Sequence, residues 1–386
     1  MQQKRAYKYR LSPTEEQSHL LARTFGCCRY VYNWALRQRT DAYYKDGERL
    51  SYEGTAQRLT ALKKQQEHIW LSEVSSVPPQ QSLRHLDSAF RNFFEGRAQY
   101  PKFHKKHGEQ TATYASSAFK WDGKTLMLAK MAEPLNIVWS RPLPDGAQPT
   151  TVTITKDTAG RYFVSLLIEE DIQPLPVVKK QVGLDLGLKS MVITSDGQTY
   201  GNPKFFAKDE KKLAQAQRRQ AKKKKGSKNR DKARRKVAKI HARISDRRRD
   251  YQHKLSTKLI RENQIVCVES LQVKNMVRNH KLAKAISDVG WGEFVRQLDY
   301  KARWYGRTLV RIDKFYPSSK RCFECGHVLD SLPLDIRVWT CPECGVVHDR
   351  DSNAAKNIHA AGLTVVEACG EAVRPGRAKA RVGRLR

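Results

Sequence analysis

The sequence predicts a multidomain α+β protein: a small β-barrel interrupted by a helical domain, followed by a domain of interleaved strands and helices. Three observations predict it. The 386 residues amount to two or three domains at roughly 100–200 residues each. Apolar periodicity is helical up to about Tyr100 and tends to alternate from Thr111 to Glu170. Beyond Pro174-Leu175-Pro176, which reads as a linker, strand and helix patterns interleave. Hydrophobic residues make up 39%, and 15 Tyr, 12 Phe and 7 Trp suffice for real cores, so a wholly disordered chain is excluded.

Residues 6–10 are strand-like and are expected to join the later strands, which makes the helices an insertion in the barrel. In Ser12-Pro13-Thr14-Glu15, Ser12 can cap a helix, Pro13 suits its first position and Glu15 can close a capping box. Leu20, Leu21, Phe25, Cys28, Val31, Tyr32 and Leu36 then recur at three- and four-residue steps, which predicts a helix over 13–44. A second helix is expected over 52–66. A third starts at Gln80 after Val77-Pro78-Pro79, with Leu83, Leu86, Phe90 and Phe93 on one side. The helical domain is thus 13–99, and the barrel is 1–12 with 100–176. Turn signals at Asp122-Gly123, Asp145-Gly146 and Asp157 to Gly160 separate short strands, among them 151–155 and 162–167.

Further on, 181–189 and 191–194 read as two strands and 265–269 as a short buried strand. A helix follows over 292–305, then a strand over 308–312 and a helix over 354–361. Between Lys208 and Asp250 there are 20 Lys or Arg against 5 acids. That stretch reads as two helices joined by a basic turn, Lys222, Lys223, Lys224 and Lys225, with few apolar residues to bury. A surface arm lying against phosphate fits it better than a solvated spacer. The segment 363–386 reads as a basic, disordered tail: from Arg374 on it has Gly and Pro but almost no apolar residues.

The formal net charge of +34 calls for a polyanion, nucleic acid first and an anionic membrane surface second. No run approaches ~18 apolar residues, so nothing supports membrane residence, and the basic N-terminus lacks the apolar core of a signal peptide. Of eight cysteines, Cys27, Cys28, Cys267 and Cys369 are scattered, while Cys322/Cys325 and Cys341/Cys344 form two Cys-x-x-Cys pairs fifteen residues apart. That pattern fits a reducing cytoplasm and one structural Zn2+ held by four thiolates. Gly326 and Gly345, each directly after a pair, permit the tight turns.

Three carboxylates read as a second site. Asp185 lies in an apolar run flanked by Gly183 and Gly187, Glu269 ends a strand behind four apolar residues, and Asp351 opens a helix. A buried carboxylate needs a cation or a partner. Three acids at one point suit Mg2+, and two such ions about 4 Å apart activate water and stabilise the leaving oxygen of a phosphodiester. Each acid also has a plainer reading: Asp351 as a helix cap, Glu269 as an ion-pair partner, and Asp349 as a rival to Asp351. At the third helix's N-terminus, Gln80, Gln81 and Arg84 are candidates for base and phosphate contact. Ordinary first-turn polarity explains the two glutamines equally.

The run Phe315-Tyr316-Pro317-Ser318-Ser319-Lys320-Arg321-Cys322, the ribbon, and His348-Asp349-Arg350-Asp351-Ser352-Asn353-Ala354-Ala355-Lys356-Asn357-Ile358 resemble the C-terminal half of the TnpB family. These are insertion-sequence proteins related to type V CRISPR effector nucleases. Tyr7 to Asn33 and Val77 to Arg84 also resemble that family, so the likeness spans about 4–358. It implies an RNase H-like (RuvC) nuclease domain over 177–362, a zinc ribbon inserted over 315–348, and a wedge-like barrel. It also implies guide RNA from the protein's own locus, double-stranded target DNA, and cutting beside a short element-end motif. The metal acids it implies are Asp185, Glu269 and Asp351, none substituted, with two Mg2+. A bacterial or archaeal cytoplasm and a monomer on RNA complete the expectation. One site cutting both strands in turn predicts staggered ends. A nuclease-inactive RNA-guided regulator and an acid-triad transposase remain open; a tyrosine transposase does not, for want of its His-hydrophobic-His motif.

Overall fold

The computed structural model describes residues 2–333 and 335–368. Of the tail read as disordered over 363–386, residues 363–368 instead continue a helix that begins at Arg350, and the rest, with Arg374 to Arg386, lies outside the described residues. The main division of the chain falls between Asp171 and Ile172.

In the first unit, β1 (Gln2–Leu11) buries Tyr7, Tyr9 and Leu11 and exposes Lys8 and Arg10. The helix that follows, α1 (Glu15–Asp46), is capped two residues later than Ser12. Thr14 Oγ1 accepts from Gln17 N and Gln17 Oε1 accepts from Thr14 N, a capping box. Ser12 cannot close a box with Glu15, because its N–H continues the strand pattern, donating to Asn136 O at 2.9 Å. Gln17 also donates to the carbonyls of Glu133 and Pro134, which explains a buried glutamine. The helix stops at Gly47, whose φ of 67° suits a residue without Cβ.

Helix α1 serves two cores. Leu21, Phe25 and Cys28 pack with the strands, whereas Cys27, Val31, Ala35 and Leu36 pack with α2 (Tyr52–Lys64) and α3 (Val77–Phe94). α3 begins at Val77, not Gln80. Prolines are tolerated in a first turn whose N–H groups have no intrahelical partner, and Pro78 and Pro79 are buried there.

The strands are β2 (Gln110–Ala115), β3 (Phe119–Trp121), β4 (Leu126–Leu128), β5 (Ile137–Val138), β6 (Pro149–Lys156) and β7 (Tyr162–Asp171). An antiparallel sheet runs β2-β6-β7-β1-β5, with β3 and β4 as a separate hairpin. The barrel expected from the sequence thus takes the form of a sheet and a hairpin around one core, the ladder ending at β2 and β5.

The second unit contains β8 (Gln181–Asp185), β9 (Ser190–Thr194), β10 (Thr199–Gly201), α4 (Phe205–Ala221), α5 (Lys228–Glu262) and β11 (Ile265–Glu269). α6 (Val273–Met276), α7 (Ala283–Val289), α8 (Trp291–Tyr305), β12 (Thr308–Ile312), β13 (Val338–Thr340), β14 (Val347–Asp349) and α9 (Arg350–Ala368) follow. The sheet order is β10-β9-β8-β11-β12, with β8, β11 and β12 parallel and β9 and β10 antiparallel.

Because side chains alternate across a strand, Val182, Leu184, Val266 and Val268 face a core made with α5, α7 and α8. Ile265, Cys267, Val310 and Ile312 face the opposite core with Ile358 of α9. Apolar strands with both faces covered are what a parallel sheet requires. The linker is pinned: Arg307 donates to the carbonyls of Leu175 and Pro176 and to Gln264 Oε1. Among the described residues no helix is long and apolar enough to cross a membrane.

Candidate active site and metal centre

Cys267 pairs with Gly183 and Val268 with Leu184 in the parallel ladder, so the next residues on each strand are Glu269 and Asp185. Both lie at C-terminal strand ends, where open α/β sheets bind ligands. Both belong to the face that α9 covers, by the same alternation that points Gly183 and Cys267 there. Strand separation of about 4.8 Å then brings the two carboxylates side by side.

Helix α9 reaches this face because two glycines let it. A Cβ on Gly183 would lie 2.3 Å from Ala355 O and 2.6 Å from His359 N, and one on Gly362 would lie 2.2 Å from Cys267 Sγ. The close approach carries the first turn of α9, with Asp351, toward the strand ends. Gly183→Ala must push the helix off the sheet. It is expected to cost about 1–3 kcal/mol in denaturant unfolding; unfolding at the wild-type midpoint would count against this packing.

Asp185 is pushed up to about 8, by burial first and then by the charges of Glu269 and Asp351, against the opposing pull of Arg350 and Arg337. Burial likewise pushes Glu269 up to about 7, partly offset by a hydrogen bond from the Leu186 backbone. Carboxylates gathered in a desolvated corner are a donor set suited to a hard divalent cation. Asp351 is held from the other side, with Arg337 Nη1 donating to its Oδ1 at 3.0 Å and its Oδ2 at 3.2 Å. The helix-cap role weighed for Asp351 falls to Asp349, whose Oδ1 accepts from Ser352 N at 2.8 Å.

Among the described residues, Cys322, Cys325, Cys341 and Cys344 form the group whose ligand atoms lie within 4.8 Å of one another. Cys322–Cys344 and Cys325–Cys341 sulfurs are each 3.6 Å apart. A tetrahedron of 2.3 Å Zn–S bonds has edges of about 3.8 Å, so the thiolates fit zinc. Each knuckle has one design. Gly326 N and Gly345 N return to Cys322 O and Cys341 O, and both glycines have positive φ, 81° and 74°.

Three groups here escape a reading of spacing. His348 is buried against Trp339 with Nε2 3.0 Å from Cys322 Sγ. Asn353 donates to Arg321 O and accepts from Phe323 N, while Asn357 donates to Ser318 O and Arg321 O. The helix that bears Asp351 is thereby tied to the first knuckle. All three stand in the run His348 to Ile358, and the i,i+4 spacing of the two asparagines puts both on one helix face.

Of the candidate nucleic-acid contacts, Gln80 and Arg84 are exposed and Gln81 is half-buried; Arg84 also donates to Tyr52 Oη at 3.4 Å. Lys222, Lys223, Lys224 and Lys225 are exposed in the turn between α4 and α5. Arg230 braces that turn by donating to Lys223 O at 2.7 Å, and Ser227 caps α5.

Residues 164–280 match a family described as "Probable transposase", residues 291–358 the "Cas12f1-like, TNB domain", and residues 1–48 a "Helix-turn-helix domain". The last stretch is here one strand and one long helix. A Streptomyces pristinaespiralis protein named "Putative RNA-guided DNA endonuclease" is 56% identical over 386 residues, all of this chain and 96% of that one. An Escherichia coli K12 protein, "Putative RNA-guided DNA endonuclease InsQ", is 33% identical, covering 98% of this chain and 96% of that one. The chain in the solved Cas12f1–sgRNA–target DNA complex superposes with a TM-score of 0.54 at 14% identity, over 90% of this chain and 83% of that one, a likeness of fold.

Proposed function

This chain belongs to the TnpB family of RNA-guided DNA endonucleases, and from that premise we propose that Asp185, Glu269 and Asp351 are its catalytic metal ligands. It is an insertion-sequence nuclease directed by RNA to DNA. We take the second unit as the RuvC-like domain carrying the zinc ribbon, and the first as a wedge-like domain with its helical insertion. The guide is transcribed from the protein's own locus, and one chain acts per guide. Target DNA is cut beside a short element-end motif. One structural zinc is held by Cys322, Cys325, Cys341 and Cys344.

The single observation that carries the site reading is the burial of Asp185 beside the charges of Glu269 and Asp351 at the end of a parallel sheet. Two Mg2+, when bound there, supply activation of water and neutralise charge at the phosphodiester. The chain's own residues do the rest. The strand ends fix two carboxylates, α9 brings the third, and the thiolate centre, having no open position, holds the ribbon and takes no part in chemistry. Gln80, Gln81 and Arg84 are proposed to touch target bases and phosphates. Lys222 to Lys225 grip the phosphate backbone, since a guided nuclease reads sequence by base pairing and needs basic surface for the rest.

The test is a plasmid-library cleavage assay with the transcript flanking the gene, run beside Asp185→Ala. Guide-dependent, Mg2+-dependent cuts with staggered ends are expected from the wild type and none from the variant. Equal retention of target by both proteins without product would turn the reading to a binding regulator, strand-transfer products would turn it to a transposase, and blunt ends would contradict sequential cutting by one site.

A further inference from the structure

Arg337 sits directly before β13, between the two thiolate pairs, and belongs to none of the elements that carry the acids. Its backbone carbonyl accepts from Arg350 N at 2.7 Å, extending the β13–β14 ladder by one bond. The ladder thus sets the main chain of Arg337 against that of Arg350, one residue from Asp351. The ion pair is therefore placed by a strand register and is not a chance meeting of two long side chains. Its guanidinium takes both oxygens of Asp351 through one Nη1. Arg350, the other guanidinium near the acids, is committed elsewhere: it is buried and donates to Pro333 O at 2.7 Å. The Arg337 side chain is 49% exposed, so it is the one with room to leave.

We propose that Arg337 is a positioning residue that competes with divalent cations for the two oxygens of Asp351 and so sets how tightly the three acids load metal. The proposal rests on the three-acid reading given above. A guanidinium carries a fixed positive charge and five donors, accepts nothing, and does not deprotonate. A cation taking Asp351 as a ligand must break the contact to both oxygens. The loading of the acids is therefore weaker than three free carboxylates would give. Oxygens brought by a phosphodiester add ligands and offset that loss, which couples full loading to the presence of substrate.

The experiment is calorimetric titration of the full-length, zinc-loaded protein with Mn2+ alone, on wild type, Arg337→Gln, Arg337→Lys and Asp185→Ala. Arg337→Gln is expected to bind Mn2+ about five- to tenfold more tightly than wild type. Arg337→Lys is expected to lie close to wild type, and Asp185→Ala to bind more weakly. Damage to the fold would lower affinity, so a gain is a readout that a merely structural role does not produce. Zinc content reports whether the ribbon is intact; should Arg337→Gln lose zinc, Arg337→Met is judged by the same criteria. Unchanged or weaker binding by the zinc-loaded variant, with Asp185→Ala still weakened, overturns the proposal and leaves the three-acid reading standing. Mn2+ binding that is absent in both wild type and Arg337→Gln, or unaffected in Asp185→Ala, overturns both.

Discussion

Asp185→Asn is expected to lose target cutting by at least about 10³-fold and, at pH 8 in buffer stripped of divalent cations, to melt above the wild type. The two effects have one origin. In the folded protein Asp185 is pushed up to about 8, against about 3.9 in an unfolded chain. A group raised on folding contributes stability that is fully present below its unfolded value and is lost as pH rises through its folded value. Between about pH 4 and pH 8 the wild type without divalent cations therefore loses stability as Asp185 is forced to ionise beside Glu269 and Asp351. Asparagine keeps the shape and drops the charge. The gain should be absent at pH 4, and added Mg2+ should raise the melting temperature of the wild type more than that of the variant. Thermal melts at the two pH values decide it. A variant melting no higher than wild type at pH 8 would mean that Asp185 is not confined among like charges.

The second large effect is expected from the thiolate centre. Cys322→Ser with Cys341→Ser removes one ligand from each pair and should abolish zinc binding, which in small zinc modules contributes about 10–16 kcal/mol of folding free energy. The consequence should reach the acids. The first knuckle supplies Arg321 O and Phe323 N to Asn353, and Arg321 O also to Asn357. The hairpin between the pairs supplies Arg337 to Asp351. Without zinc, α9 loses these ties at its first two turns, and cutting should fall at least about 100-fold with excess Mg2+ unable to restore it. Metal analysis beside cleavage rates is the measurement. Full activity in a zinc-depleted protein would sever the link drawn here between the ribbon and the acids.

Much of this was legible because it is local. Four apolar residues before Glu269 announce a buried strand ending in a carboxylate, and Cys-x-x-Cys-Gly announces a knuckle wherever it stands. The cap of α1 was legible as a motif but not in its register. Thr14 displaced Ser12 because the Ser12 N–H is spent on Asn136, more than a hundred residues away. The same limit hid Arg337, His348 and Gly362. Arg337 gains its meaning only when β13 pairs with β14, His348 when its ring meets Cys322, and Gly362 when α9 lands on Cys267. Gly183 stands out in the sequence for its place near Asp185, whereas its reason, the passage of a helix backbone, is tertiary. The number and spacing of short strands suggest a barrel, but they say little about whether the outer two strands meet.

The place of β1 bears on how the protein is made. It leaves the ribosome long before the strands it pairs with, yet it lies inside its sheet, with β5 on one side and β7 on the other. Its main partner spans Tyr162–Asp171, so at synthesis rates of about 5–20 residues per second the first strand waits roughly 8–30 s for it. During that interval α1, α2 and α3 can assemble through contacts near in sequence, while Tyr7, Tyr9 and Leu11 stay uncovered by their sheet. A nascent chain halted before residue 162 would hold a formed helical lobe with a sticky leader. Deleting Gln2–Leu11 would remove the interior of a sheet and detach β5.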